Sequence, residues 1–577
     1  MGCPIKPPAE QTAGGESLAW LSSAMAAGTE RAIALLDTNP SSATYGCADR
    51  AYWNYRTLTN FSGATWQQVM LGLAALDAAD PSPDDQGEQP QLTELAGAAL
   101  GWWSRIQHRD GSFDEWYFNE HSFCPTAITG AGAALSLYLL RDQLPQSGAG
   151  AALSALERAG KWLATRDNPD VMNQNVAAAA ALHGLAEITG ENHWRRSAEA
   201  KLTHIRLAQR PEGWLPEYGG ADLGYSTLSL DFLAACDALG DSGQAREIAS
   251  RLIGFLEVVQ GAGASLPGRL GSRGTAHQFI YGALHFGRQD QRAARLAQLW
   301  LEGLRDGYVA NPATVDDRYF AYFYFPQFAL AYRELTTGKQ PPLPKKALGS
   351  AGTTELAESG FLVRRAASGS ATVSRRLGGA VALCRDKAVP LYHLGYEVST
   401  AKGERFSSAI WESELVLDRP SHADRLEVAA TFRAVSAALP LKYFMVPFQI
   451  VAHLLVSGSL AAAFQKAIKG RMISPAAQLP LRLERAIKFT TTGVQVEDRL
   501  APQSDLPRIA SLRAASQISM HSPSARQDPG RPVELPQTIC ESAVSQLNDG
   551  YAATFNWSCS YEGDVQIQEE ANRDGLA

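Results

Sequence analysis

Cysteine is scarce and scattered. The seven cysteines, Cys3, Cys47, Cys124, Cys236, Cys384, Cys540 and Cys559, include no CxxC pair. Neither a zinc site nor a disulfide framework finds the spacing it needs, so no metal or cofactor is expected. Reduced thiols fit a cytoplasmic protein. An excess of positive charge is also missing. The net charge is -7 and no polybasic block occurs, which argues against nucleic acid as a partner. The first residues, MGCPIKPPAEQ, hold no apolar run of the kind a signal peptide carries. Gly2 and Cys3 fall short of a lipidation signal, because Lys6 stands where Ser or Thr is needed. No unbroken membrane-spanning run occurs either. The most apolar stretch, 443–464, is interrupted by Pro447 and Gly458. What remains is a chain 45% hydrophobic and 19% charged, suited to folded domains with ample core.

After a short tail, 1–14, residues 15–340 read as helix after helix. Apolar residues recur at helical spacing near 16–37, 64–79, 92–108, 126–142, 150–166, 175–189, 193–209, 225–239, 243–260, 275–287, 290–305 and 317–336. Breakers such as Asp110-Gly111, Asn168-Pro169, Gly219-Gly220 and Asn311-Pro312 separate them. About six antiparallel hairpins at a period of roughly 50 residues predict a solenoid or a closed toroid. The connectors favour the toroid. Those at 43–63, 109–125, 210–224, 262–274 and 307–318 are long and chemically loaded, and the turns between them are short. One rim of a ring would then form a mouth and the other would only close helices.

Pro341-Pro342-Leu343-Pro344 marks a linker, 341–350. From 351 to 577 the apolar period changes from 3.6 to 2, as in GAVALCR at 379–385 and AIKFTTTGVQVEDRL at 486–500, which predicts an antiparallel β-sandwich. An apolar helical insertion at about 430–475 interrupts it. Its core, 443–464, is flanked by Lys442, Lys466, Lys469 and Arg471. Two roles fit it: a hairpin packed on the protein, or peripheral contact with the inner face of a membrane.

One connector stands apart. The stretch from Trp102 to Thr126 sets Phe113, Trp116, Tyr117, Phe118 and Phe123 among Asp114, Glu115, Asn119, Glu120 and His121. Rings beside carboxylates and amides suit a sugar, which stacks one face and hydrogen-bonds at its edges. Trp116, Glu120 and His121 are therefore candidate substrate contacts. The alternative is an aromatic plug between hairpins.

A helical toroid followed by a β-sandwich resembles the polysaccharide lyases of the heparinase II/III and alginate-lyase type, and the related uronyl epimerases. The shorter motifs are similar too. Asn173-Gln174-Asn175 opens a helix, and EGWLPEYGGADLGYSTLSL at 212–230 brings Tyr225 to the start of another. RLGSRGTAHQFIYGAL at 269–284 offers Arg269, Arg273 and His277, the last two four apart and so on one face of a helix. The resemblance implies an acidic, uronate-containing polysaccharide or oligosaccharide as substrate. It assigns Tyr225 as the base, Asn175 or Asn173 as the amide that spreads enolate charge, and Arg273 and His277 as its neighbours. Asn173, Trp214, Tyr218 and Arg269 would help bind substrate. The chain departs from the pattern in two places. No His follows the amide, and His393 in VPLYHLGYE is the nearest sandwich histidine. Plain alternatives exist: Asn173 as a helix cap, Tyr225 as a buried ring, His277 as a core histidine. A C5-uronyl epimerase would need a second acid, for which His121 or Tyr218 could serve. A catalytically silent glycan-binding or assembly protein is the third reading. With no export signal in view, exopolysaccharide biosynthesis is the expected setting. A second resemblance links Trp103, Gln107 and the DGSF run to the repeat of terpene cyclases and protein prenyltransferases, and implies a toroid-building device.

Overall fold

The computed structural model describes residues 13–55, 59–79, 91–240, 242–337, 351–412, 425–435, 441–454, 460–461, 463–464, 477–516 and 529–570. The predicted linker 341–350 and most of the tail lie outside them. The helical part is an α/α toroid. Its inner ring runs Val69–Asp77, Phe123–Leu139, Met172–Thr189, Leu223–Gly240, Tyr281–Gly287 and Phe325–Thr337, each packed on the next and the last packed back on the first. The outer helices are Ala13–Leu35, Leu92–Arg105, Gln146–Ala164, Asn192–Ala208, Gly243–Val259 and Gln291–Arg305. Composition separates the two rings. Met172–Thr189 is buried from Met172 through Ala186 with alanine on every side, as an inner helix must be. Gln291–Arg305 alternates an apolar stripe with arginines, as an outer helix should. Arg305 to Glu16 and Arg31 to Asp317 tie the last hairpin to the first helix and close the ring.

A repeated staple builds the hairpins. Gln107 Nε2 donates to Gly111 O and to Ala155 O of the next outer helix, at 3.0 and 2.8 Å. Gln209 Nε2 does the same with Gly213 O and Ile248 O, at 2.7 and 3.0 Å. Both glycines have positive φ, +96° and +101°. A side chain there would strike a carbonyl: a Cβ on Gly111 would lie 2.3 Å from Arg158 O. This is the toroid-building role expected of the DGSF repeat.

Residues 352–570 form two sheets. The smaller runs Arg531–Pro532, Leu391–His393, Ala380–Cys384, Gly369–Ser374, Phe361–Ala366, Gly352–Leu356, antiparallel except for its first pair. The larger runs Ile509–Ala514, Tyr396–Thr400, Arg405–Ser407, Arg425–Ala434, Gln478–Phe489, Gly493–Pro502, Ala553–Ser560, Val565–Glu570, all antiparallel. Strand alternation divides the smaller sheet between two cores. Ala380 and Ala382 join the toroid core, and Val381 and Leu383 join the core between the sheets. Arg365 Nη2 donates to Glu257 O and Val258 O at 2.8 and 2.7 Å, fastening the smaller sheet to the toroid. Inside the sandwich, Arg485 and Asp498 form a fully buried pair at 2.6 Å, with Tyr396, His393 and Trp557 around it. His393 is thereby spent on the sandwich core.

Within the insertion, the helix Leu441–Leu454 packs on the toroid's aromatic connector. Tyr117 meets Phe448 and Phe464 edge-on, and Phe118 lies against His453. Asn119 Nδ2 donates to Ala452 O at 3.3 Å. Tyr117 and Phe118 therefore plug a contact between the helix and the toroid. Among the described residues, no helix is long and apolar enough to cross a membrane.

Replacing Gly111 with Ala is expected to cost about 1–3 kcal/mol through the left-handed backbone alone, with the overlap on Arg158 added. Thermal unfolding should report a lowered melting temperature. An unchanged one would show that the staple does not bear on toroid stability.

Candidate active site

Three inner helices, Phe123–Leu139, Met172–Thr189 and Leu223–Gly240, bring their first turns to one mouth, and the long connectors meet there. Cys124, at the start of Phe123–Leu139, reaches the Tyr322 hydroxyl at 3.1 Å. Tyr218, on the connector 210–222, lies within electrostatic reach of both Cys124 and Glu115. The connectors 109–122 and 210–222 thus share a rim, as a toroid cleft requires. Helix N-termini carry partial positive charge, so their convergence favours an anionic ligand.

Asp222 organises the site. It is buried and caps the helix Leu223–Gly240, accepting from Tyr225 N at 3.0 Å. It also accepts from Arg273 N at 2.9 Å and from the Thr275 hydroxyl. Burial raises its pKa, against the pull of these donors. One carboxylate therefore joins the Tyr225 helix to the segment carrying Arg273 and His277.

Tyr225 is half-buried in the first turn of that helix, its ring 5.6 Å from that of His277. Burial pushes its phenol well above the usual value. Tyr319 pushes the same way, and Arg273 pulls back. Arg273 stacks its guanidinium on the Tyr218 ring at 4.5 Å. Its Nε is buried without a hydrogen-bond partner. A buried guanidinium nitrogen left unpaired is costly unless a ligand completes it. The Tyr218 phenol is itself pushed up to about 12 by burial, with Arg273 again opposing. His277 accepts or shares a proton with the Tyr324 hydroxyl at 3.3 Å through Nδ1. Burial holds its pKa down at about 3, so the imidazole is neutral. Its Nε2 is buried and unpaired.

Asn173 completes the group. Its backbone N–H and its Nδ2 donate to the two oxygens of Glu217, at 2.8 and 2.9 Å. Glu217 is fully enclosed, and burial raises its pKa well above the usual range.

Several sequence expectations need correction. Asn175 is turned away: it accepts from Asn168 N at 3.0 Å and donates to Asn168 O at 2.6 Å, bracing the connector before its helix. That helix starts at Met172, earlier than its apolar period indicated. Arg273 and His277 do not share a helical face. They lie in irregular and extended chain, and the helix begins only at Tyr281. Arg269 donates to Ser516 O and Gly530 O and stacks on Tyr392, so it ties the toroid to the sandwich. Trp214 is buried and donates to Glu212. His121 shares its Nδ1 with Ser112 and Asp110, at 2.7 and 3.1 Å, and stacks on His108. Glu120 accepts from Glu115 N and Trp116 N, and burial beside Glu115 pushes it up to about 8. Both hold the connector's shape. Trp116 alone of its aromatics stays open, 62% exposed, with Arg318 stacked on it at 3.9 Å.

Sequence reasoning passed over Glu217, Asp222, Tyr319 and Tyr322. Asp222 had a signal: an Asp three residues before Tyr225 at a helix start is a cap. Tyr319 and Tyr322 stand three apart in RYFAYFYF, a helical spacing that presents both on one face. Glu217 carries no such mark.

No protein-family model matches the chain, and no curated protein is similar to it in sequence. Solved structures with a similar course of the chain include the Streptomyces coelicolor A3 chondroitin AC lyase in complex with chondroitin sulphate. It is 12% identical over 90% of this chain and 70% of that one, with a TM-score of 0.49. The heparan sulfate lyase HepC from Pedobacter heparinus is 11% identical over 78% and 63%, with a TM-score of 0.32. A sugar epimerase from a ruminal bacterium is 12% identical over 48% and 89%, with a TM-score of 0.35. The chain's own layout, a helical toroid followed by β-sheets, is the one the order of elements in the sequence led one to expect.

Proposed function

We propose that the protein acts on an acidic, uronate-containing glycan by abstracting the proton beside the uronate carboxylate. The observation that carries this reading is the unpaired Arg273 Nε, set between Tyr218 and Tyr225 where helix N-termini converge. The substrate carboxylate would pair with Arg273 and with the amide of Asn173, which takes the role first considered for Asn175. Both groups spread charge as the enolate forms. Tyr225, entering as the phenolate with its own proton given up to solvent, takes the proton, a carbon–carbon double bond forms, and the glycosidic oxygen one carbon away departs. Tyr225 then returns its proton to that oxygen, completing a β-elimination. We assign His277, neutral, with Nε2 unpaired and its ring 5.6 Å from that of Tyr225, to relay the phenol's own proton. Trp116 offers a stacking face for a neighbouring sugar.

A C5-uronyl epimerase is the second reading, and Tyr218 favours it. Its ring stacks on Arg273, which acts on both phenols, and it would serve as the second acid that returns the proton to the opposite face. Exposure to a panel of acidic glycans separates the readings. Absorbance from an unsaturated product marks a lyase. Deuterium uptake without cleavage marks an epimerase. Binding with neither marks the catalytically silent glycan-binding or assembly protein.

We further propose exopolysaccharide biosynthesis at the cytoplasmic face of a membrane as the setting. The helix Leu441–Leu454 supports it: Ile450 and Leu454 are 58% and 68% exposed, with Leu460 exposed beside them. Replacing Ile450, Leu454 and Leu460 with Ser should release the protein from anionic vesicles in a sedimentation assay. Equal sedimentation, or none by the unaltered chain, would refute membrane contact.

Tyr225→Phe removes one hydroxyl. It should leave glycan affinity within about twofold and lower kcat by at least a hundredfold, in line with general acid–base roles. Asn173→Ala should lower kcat and weaken binding, and Asn175→Ala should act through stability alone. Equal activity losses in the two Asn variants at equal stability would contradict the assignment.

Arg273→Ala removes the positive charge that holds the Tyr225 phenol down. The phenol pKa rises, so activity should appear at higher pH than in the unaltered enzyme. A pH–rate profile with an unmoved ascending limb would show that Arg273 does not act on Tyr225.

A further inference from the structure

The outer face of the larger sheet looks away from the toroid. Five of its strands, Arg425–Ala434, Gln478–Phe489, Gly493–Pro502, Ala553–Ser560 and Val565–Glu570, lie side by side. Alternate residues point outward, and the register lines them up in two rungs. The first rung sets Arg425 opposite Lys488, then Gln495, Ser558 and Gln566. The second sets Glu427 opposite Ala486, then Glu497, Asn556 and Gln568. The small side chain of Ala486 leaves a dip among longer ones. A cavity of about 310 Å³ opens there, bounded by Lys488, Gln495, Asn556, Gln566 and Gln568. It continues past Arg425 into a second of about 250 Å³ toward Arg482 and Arg499.

Two features of this face do nothing for the sheet. Arg425 and Lys488 are cations directly opposed across a strand pair, an arrangement that destabilises. Arg425 leans to Glu427 at 3.4 Å, and Lys488 has no ion-pair partner among the described residues. The amides of Gln495, Asn556, Gln566 and Gln568 likewise have no side-chain hydrogen bond among the described residues. Four amides offer donors and acceptors together, which is what sugar hydroxyls use. At ~4.8 Å per strand, five strands span about 19 Å, room for several linked sugars. Arg425 is already met by Glu427, so Lys488 is the cation that favours an acidic chain, and Glu497 beside Ala486 can accept from a hydroxyl.

We propose that this face is a second glycan-binding site, which holds an acidic oligosaccharide across the five strands through Lys488, Arg425 and the row of amides. It is separate from the toroid mouth and does not depend on the chemistry proposed there. Its use would be to hold a polymer near the enzyme while the cleft works on one linkage.

The test uses the full chain carrying Tyr225→Phe and Arg273→Ala, so that cleft binding is weakened. Immobilised oligosaccharides of pectate, alginate, chondroitin sulphate and heparan sulphate are the probes, with a neutral glucan as control. At least one acidic probe should still be retained, and retention should fall with salt. Adding Lys488→Ala and Gln566→Ala should weaken that retention at least tenfold. Both side chains are exposed, so melting temperature should not move. In the chain with an intact cleft, the same two changes should raise KM for polymer and leave turnover of short substrates alone. Three results would overturn the proposal: no acidic probe retained by the cleft variant, equal retention of the neutral glucan, or retention unchanged by the Lys488 and Gln566 changes. Loss of turnover in Tyr225→Phe with retention intact bears on the cleft alone.

Discussion

Everything at the toroid mouth hangs on the Asp222 carboxylate. It is buried, and it accepts from Tyr225 N, Arg273 N and the Thr275 hydroxyl. Without it, two neighbouring inner helices would still pack, because their apolar faces require it. The polar side chains between them would lose their common reference. A buried carboxylate is costly to desolvate, and it is tolerated when several donors meet it. That cost is consistent with a site in which orientation matters more than stability.

The electrostatics at this site oppose one another. Burial favours neutral forms of Tyr225, Tyr218, His277 and Glu217. Arg273 and the helix N-termini favour negative charge. Apart from the Asp222 carboxylate, these titratable groups therefore rest uncharged around one cation. A carboxylate that pairs with Arg273 would find a low-dielectric pocket with few competing anions. The same burial would strengthen any charge that develops during reaction. The helix Leu441–Leu454 adds to this setting by covering part of the aromatic connector beside the mouth.

The fold was largely legible in the sequence, because period and breakers are local properties. Alternating long and short connectors pointed to a ring with a mouth at one rim. The change of period at 351 marked where sheets replace helices. The site was legible only in part. Tyr225 was singled out because a Gly-rich turn precedes it at a helix start. Arg273 and His277 were singled out too, and they lie in extended chain rather than on the helix their apolar neighbours suggested. The choice between Asn173 and Asn175 could not be made from spacing. It depends on which amide meets Glu217 and which meets the connector at Asn168, and both partners are set by tertiary packing. Arg269 shows the same limit: a free arginine in sequence terms, it is consumed by the sandwich. The connector's aromatics could be read two ways, as a sugar platform or as a plug. Tyr117 and Phe118 follow the plug reading, and their partners, Phe448 and His453, are far away in the chain.

In the proposed reaction, Arg273 and Asn173 receive a uronate carboxylate and aim its neighbouring carbon at Tyr225. A crystal structure of the Tyr225→Phe protein soaked with an acidic oligosaccharide tests this most directly. The predicted result is a carboxylate bonded to the Arg273 guanidinium and the Asn173 amide, with the adjacent C–H facing the ring edge at position 225. An oligosaccharide in the mouth whose carboxylates avoid Arg273, or whose C–H faces away from position 225, would contradict it.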